Sequence, residues 1–70
     1  MKTTDELVRI AGAGGGLDLT KTSLTTDDLV RIATAASGKG NRIIINGQRT
    51  TDELVRIAEA GQGCVMIFLN

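Results

Sequence analysis

The chain has 70 residues, eight basic and eight acidic side chains that cancel, and no histidine or proline. A domain this short buries only about 60% of the surface its unfolded chain exposes, and a single cysteine, Cys64, excludes an internal disulfide as the staple. The even charge balance, with no long Lys/Arg cluster, argues against nucleic acid and anionic membrane as partners, and no apolar run approaches the ~20 residues of a membrane-spanning helix. The opening residues lack the apolar stretch of a signal peptide, so a cytoplasmic location is the expectation.

From Thr3 to Ala11 the chain reads TTDELVRIA, and nearly the same phrase returns from Thr25 to Ala33 and from Thr50 to Ala58. Recurrence at this spacing divides the chain into three units, 1–24, 25–49 and 50–70, within a single domain. In the first unit Thr3 stands three residues before Glu6, the spacing at which two side chains satisfy helix-terminal N–H groups reciprocally, so the phrase opens a helix. Leu7, Ile10 and Ala11 recur at the helical spacing of a buried face, with Val8 widening it, while Asp5 and Arg9 sit at i, i+4 on the other side as an exposed intrahelical pair. Glycines at 12 and 14–16 stop the helix, and Leu17 to Thr20 reads as a short strand with Leu17 and Leu19 on the apolar side.

The second unit repeats the pattern: Thr25 and Asp28 for the cap, Leu29, Ile32 and Ala33 for the face, Asp27 and Arg31 for the charge pair. Asp28 is one methylene shorter than Glu6 and reaches back less well, whereas Leu24 ahead of the cap suits a hydrophobic staple against Leu29. Gly38 and Gly40 then lead to the strand Arg42 to Ile45. The third unit opens on Thr50 and Glu53, carries Leu54, Ile57 and Ala58 with the Asp52 and Arg56 pair, stops at Gly61 and Gly63, and ends in the apolar strand Cys64 to Leu69.

The expected fold is therefore α/β: three helix-strand repeats forming a parallel three-stranded sheet with all helices on one face. The period and the strand-plus-helix content resemble the leucine-rich-repeat class of α/β solenoids, a likeness of architecture that implies stacking and no particular ligand. The run Leu24 to Ala33 resembles the first helix of TAL-effector-type DNA-binding repeats. That family's second helix is replaced here by strands, so its DNA recognition is not carried over.

Counting from the cap threonine places Cys64, Met66 and Phe68 in step with Leu17 and Leu19, toward the helices. Val65, Ile67 and Leu69 then fall on the opposite, uncovered face, and Ile43 and Ile45 are expected to join them as an assembly interface, the longer hinge of the second unit leaving the register of its strand open by one residue. The last strand is also an unprotected edge, free of proline and charge. Leu69-Asn70 followed by a second copy's Met1-Lys2 imitates the loops that lead into Thr25 and Thr50, which suggests head-to-tail continuation into a homo-oligomer or filament. The chain then reads as a non-enzymatic structural protein whose partner is itself. The alternative is an interaction module, or a fragment of a longer repeat protein, that offers this surface to a different partner.

Catalysis has little to work with: no histidine base activates Ser23 or the threonines, and Cys64 among apolar neighbours suits inert packing. No metal, cofactor or small-molecule substrate is expected. The glycine loops follow helices where phosphate-cradling loops precede them, which removes the nucleotide reading. Lys21 and Arg49, beyond the carboxyl ends of the strands, are the remaining candidates for holding an anion.

Overall fold

The computed structural model describes residues 2–69. Along it run α1 (Thr4–Gly12), β1 (Leu17–Asp18), α2 (Thr26–Ala36), β2 (Ile43–Asn46), α3 (Thr51–Gly61) and β3 (Val65–Phe68). The three strands are parallel and lie in chain order, β1-β2-β3, and neighbouring helices pack side by side against one face of the sheet. This is the α/β architecture of alternating helix and strand that the recurring phrase implies.

Each helix begins where its threonine and acid require. Thr3, Thr25 and Thr50 are extended N-caps whose hydroxyls accept from the backbone N–H three residues on, and the acids at those positions accept from the cap N–H in return. Glu6 and Glu53 close this ring at 2.9 and 3.0 Å, and the shorter Asp28 manages 3.4 Å. All three boxes form, and the missing methylene is felt as a longer bond rather than an absent one.

The helices end less uniformly than their glycines suggest. Gly12 and Gly61 are the last residues of α1 and α3, and the cap positions belong to Ala13, Ser37 and Gln62. Gln62 takes up the left-handed conformation, φ 51° and ψ 48°, ahead of Gly63 at φ 101°. A residue with a Cβ is disfavoured there, so Gln62→Gly is expected to raise stability by about 0.5–1 kcal/mol, read as a higher urea midpoint at unchanged slope. Its side chain gives up only an exposed bond from the Ser37 hydroxyl.

The core is aliphatic. Ile32, Ile43, Ile45 and Ile57 are the largest fully buried side chains, joined by Leu7, Leu19, Leu29 and the alanines 11, 33 and 36. Leu24 packs against this cluster from its edge.

The register of the sheet corrects the placement of the strand residues. Leu17 lies opposite Ile43, and Ile43 opposite Val65; Ile45 lies opposite Ile67. Leu17 and Leu19 point at the helices as expected, but Ile43 and Ile45 do so too, at 0% and 1% exposure, and Val65 and Ile67 are half-buried against the same core. Four of the five residues assigned to an uncovered assembly face thus line the interior; only Leu69 is exposed. Met66 and Phe68, expected inside, stand on the open face with Ile44 and Asp18 between and beside them. Cys64, just ahead of β3, is buried as expected, its Sγ 3.9 Å from the Ala33 carbonyl.

For β3 the cause is one extra residue between cap and strand; in the second unit Thr25 precedes Ile43 by 18 positions, an even offset from the 14 of the first, so β2 keeps the phase of β1. Thr3 precedes Leu17 by 14 positions and Thr50 precedes Val65 by 15, because α3 runs two residues longer than α1 and only part of that is recovered in the hinge. Strand side chains alternate with period two, so a shift by one exchanges the faces of the whole strand.

Candidate functional site

Charged side chains on the helices do not pair as the i, i+4 spacing suggests. Among the described residues the ion pairs run between helices: Arg31 of α2 to Asp5 of α1 at 2.6 Å, and Arg56 of α3 to Asp27 of α2 at 3.0 Å. In both joints the arginine leans toward the preceding helix and the aspartate toward the following one. Both pairs are exposed, and the proximity of Asp5 raises the Arg31 guanidinium above its ordinary value. Their worth is register more than stability, since exposed pairs contribute about 0–1 kcal/mol.

The same directionality shows in burial. Ile32 and Ile57, on helices that have a neighbour before them, are 0% exposed, whereas their counterpart Ile10, on the first helix, is 36% exposed. Val8 and Val30, on helices that have a neighbour after them, are half-buried, and their counterpart Val55, on the last helix, is 48% exposed. Leu54 is likewise less buried than Leu7 and Leu29, and Ala58 less than Ala11 and Ala33. One phrase thus meets three environments, and the differences mark two unlike ends: α1 shows Arg9 and Ile10, α3 shows Asp52, Leu54, Val55 and Ala58.

A further clamp joins α3 to α2. The Arg49 guanidinium donates to the Leu24 carbonyl and, at 2.9 Å, to the Thr26 hydroxyl, and that hydroxyl donates to Glu53 at 3.2 Å. The Glu53 carboxyl is held below its ordinary range, first by the Thr50 N–H and then by Thr26, Thr50 and nearby Arg49. Arg49 is therefore spent on the loop before α2, and as an anion ligand it is replaced by a structural tie. Lys21 is exposed and lines a shallow depression of about 190 Å³ with Thr20, Asn46, Gln48 and Phe68, at the carboxyl ends of the strands. Arg49 is not part of that lining, so the two cations considered together do not share it. The volume is below the roughly 300–1,000 Å³ of ordinary ligand pockets.

Two asparagines that the phrase does not contain complete the links between units. Asn41 Nδ2 donates to the Ala11 and Gly15 carbonyls at 3.0 and 2.9 Å, and Asn46 Nδ2 to the Thr20 carbonyl at 2.9 Å. They satisfy carbonyls at a helix end and a strand end, and the only sequence signal was an amide at either end of a strand.

On the sheet face away from the helices stand Asp18, Ile44, Met66 and Phe68, with Met66 44% and Phe68 56% exposed, and Leu69 follows at 76%. Asp18 turns back on its own strand end, accepting from the Thr20 N–H at 3.0 Å and its hydroxyl at 2.7 Å, bonds that lower its carboxyl below the ordinary value. The β1 edge is thereby short and blunted by an acid, whereas the β3 edge has four residues and no charge. Among the described residues no cluster of His, Cys, Asp or Glu is arranged to hold a metal ion, and no helix is long and apolar enough to cross a membrane.

No protein-family model, no curated protein and no solved structure matches this chain.

Proposed function

We propose that the chain is a non-enzymatic structural repeat protein that associates with copies of itself, head to tail, through its uncovered sheet edge and the unlike ends of its helix row. The observation that carries this reading is β3. It is last in the strand order, its outer edge takes no partner among the described residues, and Met66, Phe68 and Leu69 stand exposed along it. An uncharged apolar edge of this kind recruits another strand unless something covers it. The short β1 edge, two residues with Asp18 in the outer position, offers a parallel partner of limited length, so the helices must contribute most of the contact. Met1 and Asn70, which a linker spanning two copies would join, lie outside the described residues.

Light scattering coupled to size-exclusion chromatography over a dilution series tests the proposal. The weight-average mass is expected to climb with concentration. A constant monomer mass at high micromolar concentration, with a folded circular-dichroism spectrum, removes it.

A second reading rests on the row Ile44, Met66 and Phe68. It faces away from the helices, so a joint between helix rows leaves it uncovered. As an interaction module the chain would offer this row to a different protein with an apolar surface of its own.

A further inference from the structure

The two internal helix joints are built to one plan, and the plan is unfinished at both ends of the row. In each, an arginine reaches back to the aspartate of the preceding helix and the adjacent isoleucine is fully buried. The outer face of α1 carries Arg9 and Ile10 in those two roles, and with Lys2, Glu6 and Ala13 they line an open hollow of about 320 Å³. The outer face of α3 carries the other half: Asp52, exposed, with Leu54, Val55 and Ala58 short of the burial their counterparts have. The charges oppose across these faces as well. Lys2 and Arg9 outnumber Glu6 on one, Asp52 and Glu59 stand on the other, and all five are exposed.

Building on the self-association reading above, we propose a specific joint. The α1 of a second copy lies on the outer face of α3 as α2 lies on α1, Asp52 takes the second copy's Arg9, and the second copy's Ile10 packs between Leu54, Val55 and Ala58. Lys2 of that copy falls where Arg49 clamps the loop before α2, one residue ahead of the cap threonine in both units. The contact is heterologous, so it leaves one complete face free at each end and propagates unless the rotation closes a ring.

The joint predicts a charge-exchange result that other modes of association do not. Asp52→Arg and Arg9→Asp lie on the surface, and each confronts like charges when its copies meet. Each variant alone is expected to weaken association by up to about thirtyfold at low salt, because an attraction worth up to about 1 kcal/mol becomes a repulsion of similar size. Mixed in equal amounts, the two variants restore opposite charges at every contact between unlike copies. The altered α3 face of Asp52→Arg meets the altered α1 face of Arg9→Asp with the polarity reversed, and at the next contact Asp52 meets Arg9 as in the unaltered chain. The mixture is therefore expected to associate as the unaltered chain does. Ile10→Asp, which puts a charge into the apolar contact, is expected to abolish association of that variant with itself and, mixed with the unaltered chain, to bind through its intact α3 face alone and so stop growth at its α1 end. Sedimentation velocity reads all of these, and circular dichroism confirms that each variant is folded.

If the unaltered chain associates but both charge variants match it, or if their mixture is no stronger than either alone, this joint is wrong while self-association stands. If the unaltered chain is monomeric at high micromolar concentration, the underlying reading fails with it.

Discussion

Ile45→Lys is expected to unfold the protein, and Ile44→Lys, one residue away, to leave it folded. Ile45 is 1% exposed and Ile43 0%, both sealed between the helices and the sheet, whereas Ile44 is half-buried on the open face. A lysine at 45 must bury an ammonium without an acid nearby or give up its proton, and either route costs more than about 4 kcal/mol. A domain of 70 residues has about 3.5–10 kcal/mol of stability in all. At 44 the lysine stem lies along the sheet with its head in water, and its opposite neighbour across the β1–β2 pair is Asp18, so the change stays within about 1 kcal/mol. Far-ultraviolet circular dichroism with urea titration decides the matter. A folded Ile45→Lys variant beside an unfolded Ile44→Lys variant would reverse the register of β2.

The second large effect concerns the isoleucine that occurs at the same place in each phrase. Ile32→Ala and Ile57→Ala are each expected to cost about 2–5 kcal/mol, since the side chain is fully enclosed and its removal leaves a cavity that neighbouring elements cannot close. Ile10→Ala, at 36% exposure, is expected to cost about 1–2 kcal/mol, because part of that surface is already wet and the hollow beside it is open. These values apply at concentrations where the chain is monomeric. With self-association the apparent cost at Ile10 rises with concentration while the other two keep theirs, since only Ile10 lies on a face that a second copy covers. Urea midpoints at two protein concentrations measure this. Equal costs at all three positions in the monomer would mean that the phrase itself, and not its neighbour, sets the burial.

The aim of the charges has the same origin. Asp5 and Arg9 satisfy the spacing of an intrahelical pair, and so do Asp27 and Arg31. Yet the bonds formed are Arg31 to Asp5 and Arg56 to Asp27. An isolated helix has only its own surface on which to place these groups, so sequence spacing names the intrahelical partner. Once helices lie side by side, the facing arginine and aspartate compete for the same charge. The anion candidate Arg49 follows this rule too: nothing in its sequence neighbourhood announces that the Leu24 carbonyl and the Thr26 hydroxyl lie within its reach across 25 and 23 positions of chain.

What the sequence determined by itself is everything local. Three helices start at Thr3, Thr25 and Thr50 because a hydroxyl and an acid three residues apart close a ring around the same helix turn. Short apolar stretches after glycine became parallel strands in chain order because the connections are too brief for another arrangement. Only the tertiary structure decided which side of β2 and β3 is inside and which helix each arginine addresses. The first turns, at β3, on a single residue between helix cap and strand amplified by the two-residue period of a strand, and the second on neighbours that are adjacent in space while more than twenty residues apart in the chain.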